Sequence, residues 1–221
     1  MSEDTMAAYR YDLHIHTNYS DGVASVREVV EKAAALRLET IAITDHFWPS
    51  LGSQRAKRGL IKNRRIEIDQ LRSEYPGLRI LDGAEVDIMP YGKLADVSGG
   101  YGQFDILIGS FHYTCDSSLW SSTLIKALRE FNFDTLGHWD GYLTNYRKED
   151  GRRAAQALAE ANVAIELSAR YPVSHTEFLE LARDAGCKFV LGSDAHTLNE
   201  IGRLDDQIKM AEALNLPLVE Y

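Results

Sequence analysis

The stretch YDLHIHTNYSDG, residues 11–22, sets His14 and His16 one residue apart, with Asp21 five residues beyond the second. Side chains two apart on a strand project to the same side. Two neutral imidazoles placed that way gain little from packing but can hold one metal ion between them. A lone H-x-H is more often a polar strand end facing solvent, so its meaning depends on what else the chain offers. The chain repeats the theme: His46 closes TIAITDH, Glu85 lies in LRILDGAEVDI, His112 closes FDILIGSFH and His138 closes DTLGH. SDAH adds Asp194 and His196, again two apart, so six of the seven histidines stand at the end of a strand-like run.

Each of these residues has an ordinary role open to it. His138 reads equally as a hydrogen-bonded core histidine and Glu85 as the partner of a nearby cation. Asp194 could cap a helix, and Asp21 before Gly22 is a common turn residue. Together the reading changes, because that many polar groups crowded at one place and left unpaired would cost too much to bury. The mix of imidazole and carboxylate matches a divalent metal centre. Asp45 and Asp140, next to His46 and His138, are expected to orient those rings. His175 follows the helix-capping Ser174 and reads as a surface histidine away from the cluster.

The elements that must position these residues alternate along the chain. Strand patterns over 11–16, 40–46, 78–88, 104–112, 134–138, 163–169 and 188–196 are separated mostly by helical patterns. Those helices fall at 25–38, near 55–75, near 121–131, near 149–161, from about 175 to 185, and near 204–215. Ser25 with Glu28, and Ser174 with Glu177, are S-x-x-E signatures of a capped helix start. Apolar strands alternating with helices predict an α/β fold with a parallel sheet, buried on both faces and closed as a barrel. All carboxyl ends of such strands meet on one rim, where active sites are built. Of the seven strands only VAIELSAR lacks an imidazole, and it offers Arg170 just past its end.

Composition narrows the class. The chain has 221 residues, enough for one sizeable core, and a formal charge of −9, which argues against a broad nucleic-acid-binding face. Its two cysteines, Cys115 and Cys187, form no C-x-x-C, so a reducing, cytoplasmic setting is expected. The start MSEDTMAAYRYD has no apolar segment of a secretion signal, and no apolar run approaches the ~20 residues of a membrane span. No linker or internal repeat divides the chain, and one domain over 1–221 is expected.

The ordered set H-x-H with a following aspartate, T-D-H, G-x-E, F-H, G-H and S-D-A-H resembles the polymerase and histidinol phosphatase (PHP) family, from Asp12 to about Leu214. The resemblance implies a distorted, TIM-like barrel of seven strands and helices holding two or three divalent ions, zinc, manganese or iron. It further implies that His14, His16, Glu85 and Asp194 bind a first ion and that Glu85 bridges to a second held by His112 and His138. Asp21, His46 and His196 would bind a third, although many family members carry histidine where this chain has Asp21.

The resemblance implies a phosphoesterase in which a metal-activated hydroxide attacks phosphorus. Glu85, Asp194 and Arg170 are expected to carry catalysis. Arg170 is the leading candidate for gripping the phosphate, since a guanidinium binds two oxygens at once. Arg55, Arg58 and Arg203 are weaker candidates. The basic run Arg55, Lys57, Arg58, Lys62, Arg64 and Arg65 otherwise reads as a solvated helix face. Phe47, Trp48, Tyr113, Trp139 and Tyr171 are the aromatics expected near the rim. The expected substrate is a small phosphorylated metabolite or nucleotide, with no membrane partner and no nucleic acid beyond short oligonucleotides. The alternatives are a histidinol-phosphate phosphatase, a nuclease acting on oligonucleotide ends, and a metal-binding regulatory barrel without turnover.

Overall fold

The computed structural model describes residues 9–47 and 59–221. Seven parallel strands follow one another around the sheet: β1 (Tyr11–Ile15), β2 (Thr40–Ile43), β3 (Arg79–Met89), β5 (Ile106–Ser110), β6 (Thr135–Leu136), β7 (Ala164–Ser168) and β8 (Phe189–Gly192). The eighth, β4 (Lys93–Leu94), folds back antiparallel on the end of β3. Six helices connect them among the described residues: α1 (Val26–Ala35), α2 (Leu60–Glu74), α3 (Ser117–Glu130), α4 (Lys148–Ala161), α5 (Thr176–Asp184) and α6 (Asp205–Ala213). None of these helices is long and apolar enough to cross a membrane.

The sheet nearly closes on itself. No ladder joins β1 to β8, but Ile15 pairs with Ala195 just beyond β8, through His16 N–H donating to the Ala195 carbonyl at 2.9 Å. The strands are buried on both sides, as the continuous apolar runs require when helices cover a parallel barrel. The fold is therefore the distorted seven-stranded barrel expected from the alternation.

The local signals fared unevenly. Ser25 caps α1 through the reciprocal box with Glu28. Ser174 does not cap α5: His175 is the residue flanking that helix, and the Ser174 N–H donates instead to Asp140 Oδ2 at 2.7 Å. Glu177, free of the box, pairs with Lys148. Helix α3 starts at Ser117, earlier than its apolar period indicates, because the Asp116 carboxylate accepts from Leu119 N–H and caps it.

Candidate metal centre

The carboxyl ends of the strands bring the nine expected ligands to one rim. Barrel closure at Ile15 and Ala195 sets His14 and His16 beside Asp194 and His196, and a bridge between His46 and Glu85 joins the β2 and β3 ends. The donor atoms gather in overlapping groups whose members lie within 4.8 Å of one another: His14, His16 and Glu85; His16, Asp194 and His196; His16, Asp21 and His46; His46, Glu85 and His112. His138 completes the set through Nε2, 2.9 Å from Glu85 Oε1.

Glu85 is the centre of this arrangement, with its two oxygens facing different partners. Oε2 lies 3.1 Å from His14 Nε2, 3.3 Å from His16 Nε2 and 3.3 Å from His46 Nδ1. Oε1 faces His138 and, at 3.4 Å, His112 Nε2. His14 Nε2 and His16 Nε2 are only 3.1 Å apart, a distance that neutral rings tolerate only with a shared proton or a cation between them. Asp21 Oδ2 approaches His196 Nε2 at 3.2 Å and His46 Nε2 at 3.8 Å.

The donor set fits divalent metal. His16 Nδ1, His46 Nδ1, His138 Nδ1 and Asp21 Oδ1 are buried without a hydrogen-bond partner among the described residues. Buried polar atoms are ordinarily satisfied, and so many unsatisfied nitrogen and oxygen donors converging on one place suit zinc, manganese or iron. The groups grouped by distance share His16 more widely than the family pattern implies, which describes one continuous cluster rather than three separate pockets.

Electrostatics divide the rings. Burial works against protonating His16, but hydrogen bonds to Asp194 and Glu85 outweigh it and raise the ring to about 9. Burial likewise opposes protonation of His14, yet Glu166, then Glu85 and Asp194, hold it well above the imidazole range. His112, buried but facing Glu85 and Asp87, rises to about 11. His46 is pushed down to about 3 by burial, with His16 and His112 adding repulsion. The Glu85 carboxyl, although desolvated, is held far below its usual range by His14, His46 and His112. These are the properties of the metal-free cluster.

Some placements depart from the sequence reading. The one strand without an imidazole, β7, offers a partner that the sequence reading did not name, Glu166, whose Oε1 sits 2.7 Å from His14 Nδ1 and whose Oε2 accepts from His138 N–H at 2.7 Å. Asp87 does the same for His112 Nδ1 at 2.8 Å, and the Asp194 carbonyl for His196 Nδ1 at 2.9 Å. Such partners fix ring orientation and increase ligand basicity. Asp45 and Asp140, expected in that role, do other work. Asp45 accepts from Thr17, Ser20 and Arg64, and Asp140 from Ser174.

Among the cations, Arg64 is fully buried rather than solvated, held between Asp45 at 2.8 Å and Asp82 at 2.6 Å, and Arg65 also binds Asp82. Arg55, Lys57, Arg58 and Trp48 lie outside the described residues. Arg170 stands past β7 with 40% of its side chain exposed, and its nearest carboxylate is Glu200 at 3.8 Å. Arg203 is exposed in the loop before α6. Of the aromatics, Tyr171 stacks near His138 with centroids 4.6 Å apart, whereas Trp139 is buried against Trp120 and Phe178, and Phe47 packs under Arg64. Tyr113 packs on Phe111. His175 stacks on Tyr146, away from the cluster.

A model of the PHP domain matches residues 12–170, and the chain belongs to the PHP family, as a phosphoric ester hydrolase. It is 32% identical over 205 residues to the DNA polymerase/3'-5' exonuclease PolX of Bacillus subtilis, covering 88% of this chain and 35% of that protein. The chain thus spans about a third of that polymerase's length. It is 29% identical over 219 residues to a probable phosphatase of Acetivibrio thermocellus, covering 93% of this chain and 87% of the relative. Its fold is similar to that of the histidinol phosphate phosphatase of Lactococcus lactis, solved with zinc, L-histidinol and phosphate. The TM-score there is 0.70 at 21% identity, with 93% and 92% of the two chains covered.

Proposed function

We propose that this chain, as a single PHP domain over 1–221, hydrolyses a small phosphorylated metabolite or nucleotide at a di- or trinuclear metal centre. His14, His16, Asp21, His46, Glu85, His112, His138, Asp194 and His196 hold the ions. The observation that carries the reading is Glu85, with its two oxygens turned toward different imidazoles of one buried cluster. When bound, the ions supply a water of lowered pKa and Lewis acidity toward the phosphoryl oxygens. The protein's own residues position the ligands and the ester. Glu166 and Asp87 hold His14 and His112 in register, and Arg170 grips the phosphoryl group from beyond β7.

The Arg170 assignment rests on its exposure and on having, among the described residues, a single long ion pair, to Glu200. At 3.8 Å from Glu200 it retains guanidinium N–H groups for an anion. Arg170→Ala is expected to lower kcat/KM by a hundredfold or more, about 2–4 kcal/mol of transition-state stabilisation, with metal content and Tm unchanged. A fall in Tm with turnover intact would make Arg170 a support for its loop instead.

The reading is tested with protein reconstituted in zinc or manganese, assayed against an aryl phosphate and a panel of phosphorylated metabolites. A second reading, removal of nucleotides from oligonucleotide ends, is favoured by the 32% identity to the B. subtilis polymerase/exonuclease. A short single-stranded oligonucleotide in the same panel separates the two. Inertness toward every ester in the metal-loaded state would leave a metal-binding barrel without turnover.

A further inference from the structure

Two tyrosines stand at the Glu85–His112–His138 end of the cluster with no part in holding it. Tyr142 lies in the loop after β6 and Tyr171 in the loop after β7, both half-buried. The Tyr171 ring lies 4.6 Å from the His138 ring, and Tyr142 lies 5.7 Å from His112 and 5.9 Å from His138. Their hydroxyl oxygens meet at 3.3 Å. Each phenol carries one proton and can also accept. Their mutual contact uses one proton, and the other has no further partner among the described residues. The pair therefore presents a spare O–H donor beside the metal ligands.

The two loops are built to hold this pair. Asp140 Oδ2 accepts from Ser174 N–H at 2.7 Å, tying one loop to the other, and the Tyr142 carbonyl accepts from Cys115 N–H at 3.1 Å. Gly141 leaves room for the Tyr171 ring, since a Cβ there would stand 2.7 Å from Tyr171 Cδ1. A side chain at 141 would displace that ring from its seat against His138.

We propose that the Tyr142–Tyr171 pair donates a hydrogen bond to the ester oxygen that joins phosphorus to the leaving alcohol. This rests on the phosphoesterase reading and deepens it. The non-bridging phosphoryl oxygens carry formal charge and call for cations, which the metal ligands' ions and Arg170 provide. The ester oxygen is nearly neutral in the bound substrate and gains charge only as its bond to phosphorus breaks. A neutral, preorganised O–H aimed at that atom strengthens its bond in the transition state, which is where binding accelerates reaction.

The test uses Tyr142→Phe, Tyr171→Phe and the double variant, each metal-loaded, against phosphate monoesters running from 4-nitrophenyl phosphate to a simple alkyl phosphate. With a good leaving group, little charge needs help; with an alkoxide it does. The expected result is a fall in kcat/KM of about tenfold or more for the alkyl ester, with 4-nitrophenyl phosphate changed by about twofold at most. The double variant should be no worse than the poorer single one, because the hydroxyls act as one unit. An equal loss across the series, or a loss traceable to missing metal, overturns the inference while leaving the phosphoesterase reading standing. Wild-type protein inert toward every ester overturns both.

Discussion

Glu85 bears more of the site than any other residue. Its oxygens face five imidazoles, and its carboxyl is held far below the usual range chiefly by His14, His46 and His112. Removing that charge weakens the hold on more than one ion, whereas removing His196 affects a donor at the edge of the cluster. Glu85→Gln is expected to lower metal content by more than one ion per chain and abolish turnover, with His196→Ala losing at most one ion and keeping partial activity. Elemental analysis beside a phosphatase assay checks this, and equal effects of the two would unseat Glu85 as the bridge. Glu166 acts one step further out. Glu166→Gln preserves shape and the acceptor for His138 N–H but removes the anion on His14 Nδ1, so metal affinity should fall about 10–100-fold. Competition with a chelator measures it. Gly192 makes the same point from the other side, since a Cβ there would collide with Glu166 Oε1.

At the scale of elements, most of the nine candidate ligands were legible because they stand at or just past the end of an apolar run, with Glu85 inside the β3 run and Asp21 in the loop after β1 as the exceptions. Glu166 was not, because it lies inside the apolar run VAIELS; a carboxylate between Ile165 and Leu167 was the only signal, and it carries no imidazole. Arg64 escaped for a related reason. A helix rich in Lys and Arg reads as solvated, and only tertiary contact shows that Arg64 points inward to Asp45 and Asp82. Asp45 in turn receives Thr17 N–H, Thr17 Oγ1–H and Ser20 Oγ–H, so α2 braces the loop that carries Asp21. Burial alone would raise the Asp45 carboxyl, but the Arg64 guanidinium holds it below the usual range. Arg64→Met leaves the buried Asp45 carboxylate without its cation, Asp82 keeping Arg65, and should cost about 3–5 kcal/mol in urea unfolding. A loss within ~0.5 kcal/mol, the range of a surface change, would show that the brace is dispensable.

At the scale of the whole molecule, closing the barrel between β1 and the segment after β8 concentrates like groups that repel unless protons or metal ions compensate them. The folded state without metal solves this by taking up protons, and metal displaces them, because ligation requires the neutral ring. In an unfolded chain an imidazole titrates near 6.5, whereas His16 in the metal-free fold does so at about 9. Its protonated ring therefore stabilises the metal-free fold fully below pH 6.5, and this contribution fades as pH rises through about 9. His112, raised to about 11, acts in the same direction over a wider range. His46, held at about 3, is neutral on both sides of the transition above 6.5 and adds no slope there. Chelated protein should thus lose thermal stability steadily between pH 6.5 and 9, while protein saturated with zinc or manganese keeps its Tm or gains over the same interval, as affinity for metal rises with pH. Adding zinc to the chelator-treated protein in weak buffer at pH 7 should also acidify the solution. Parallel Tm profiles with and without metal, or metal uptake with no proton release, would show that protons and metal do not compete for these rings.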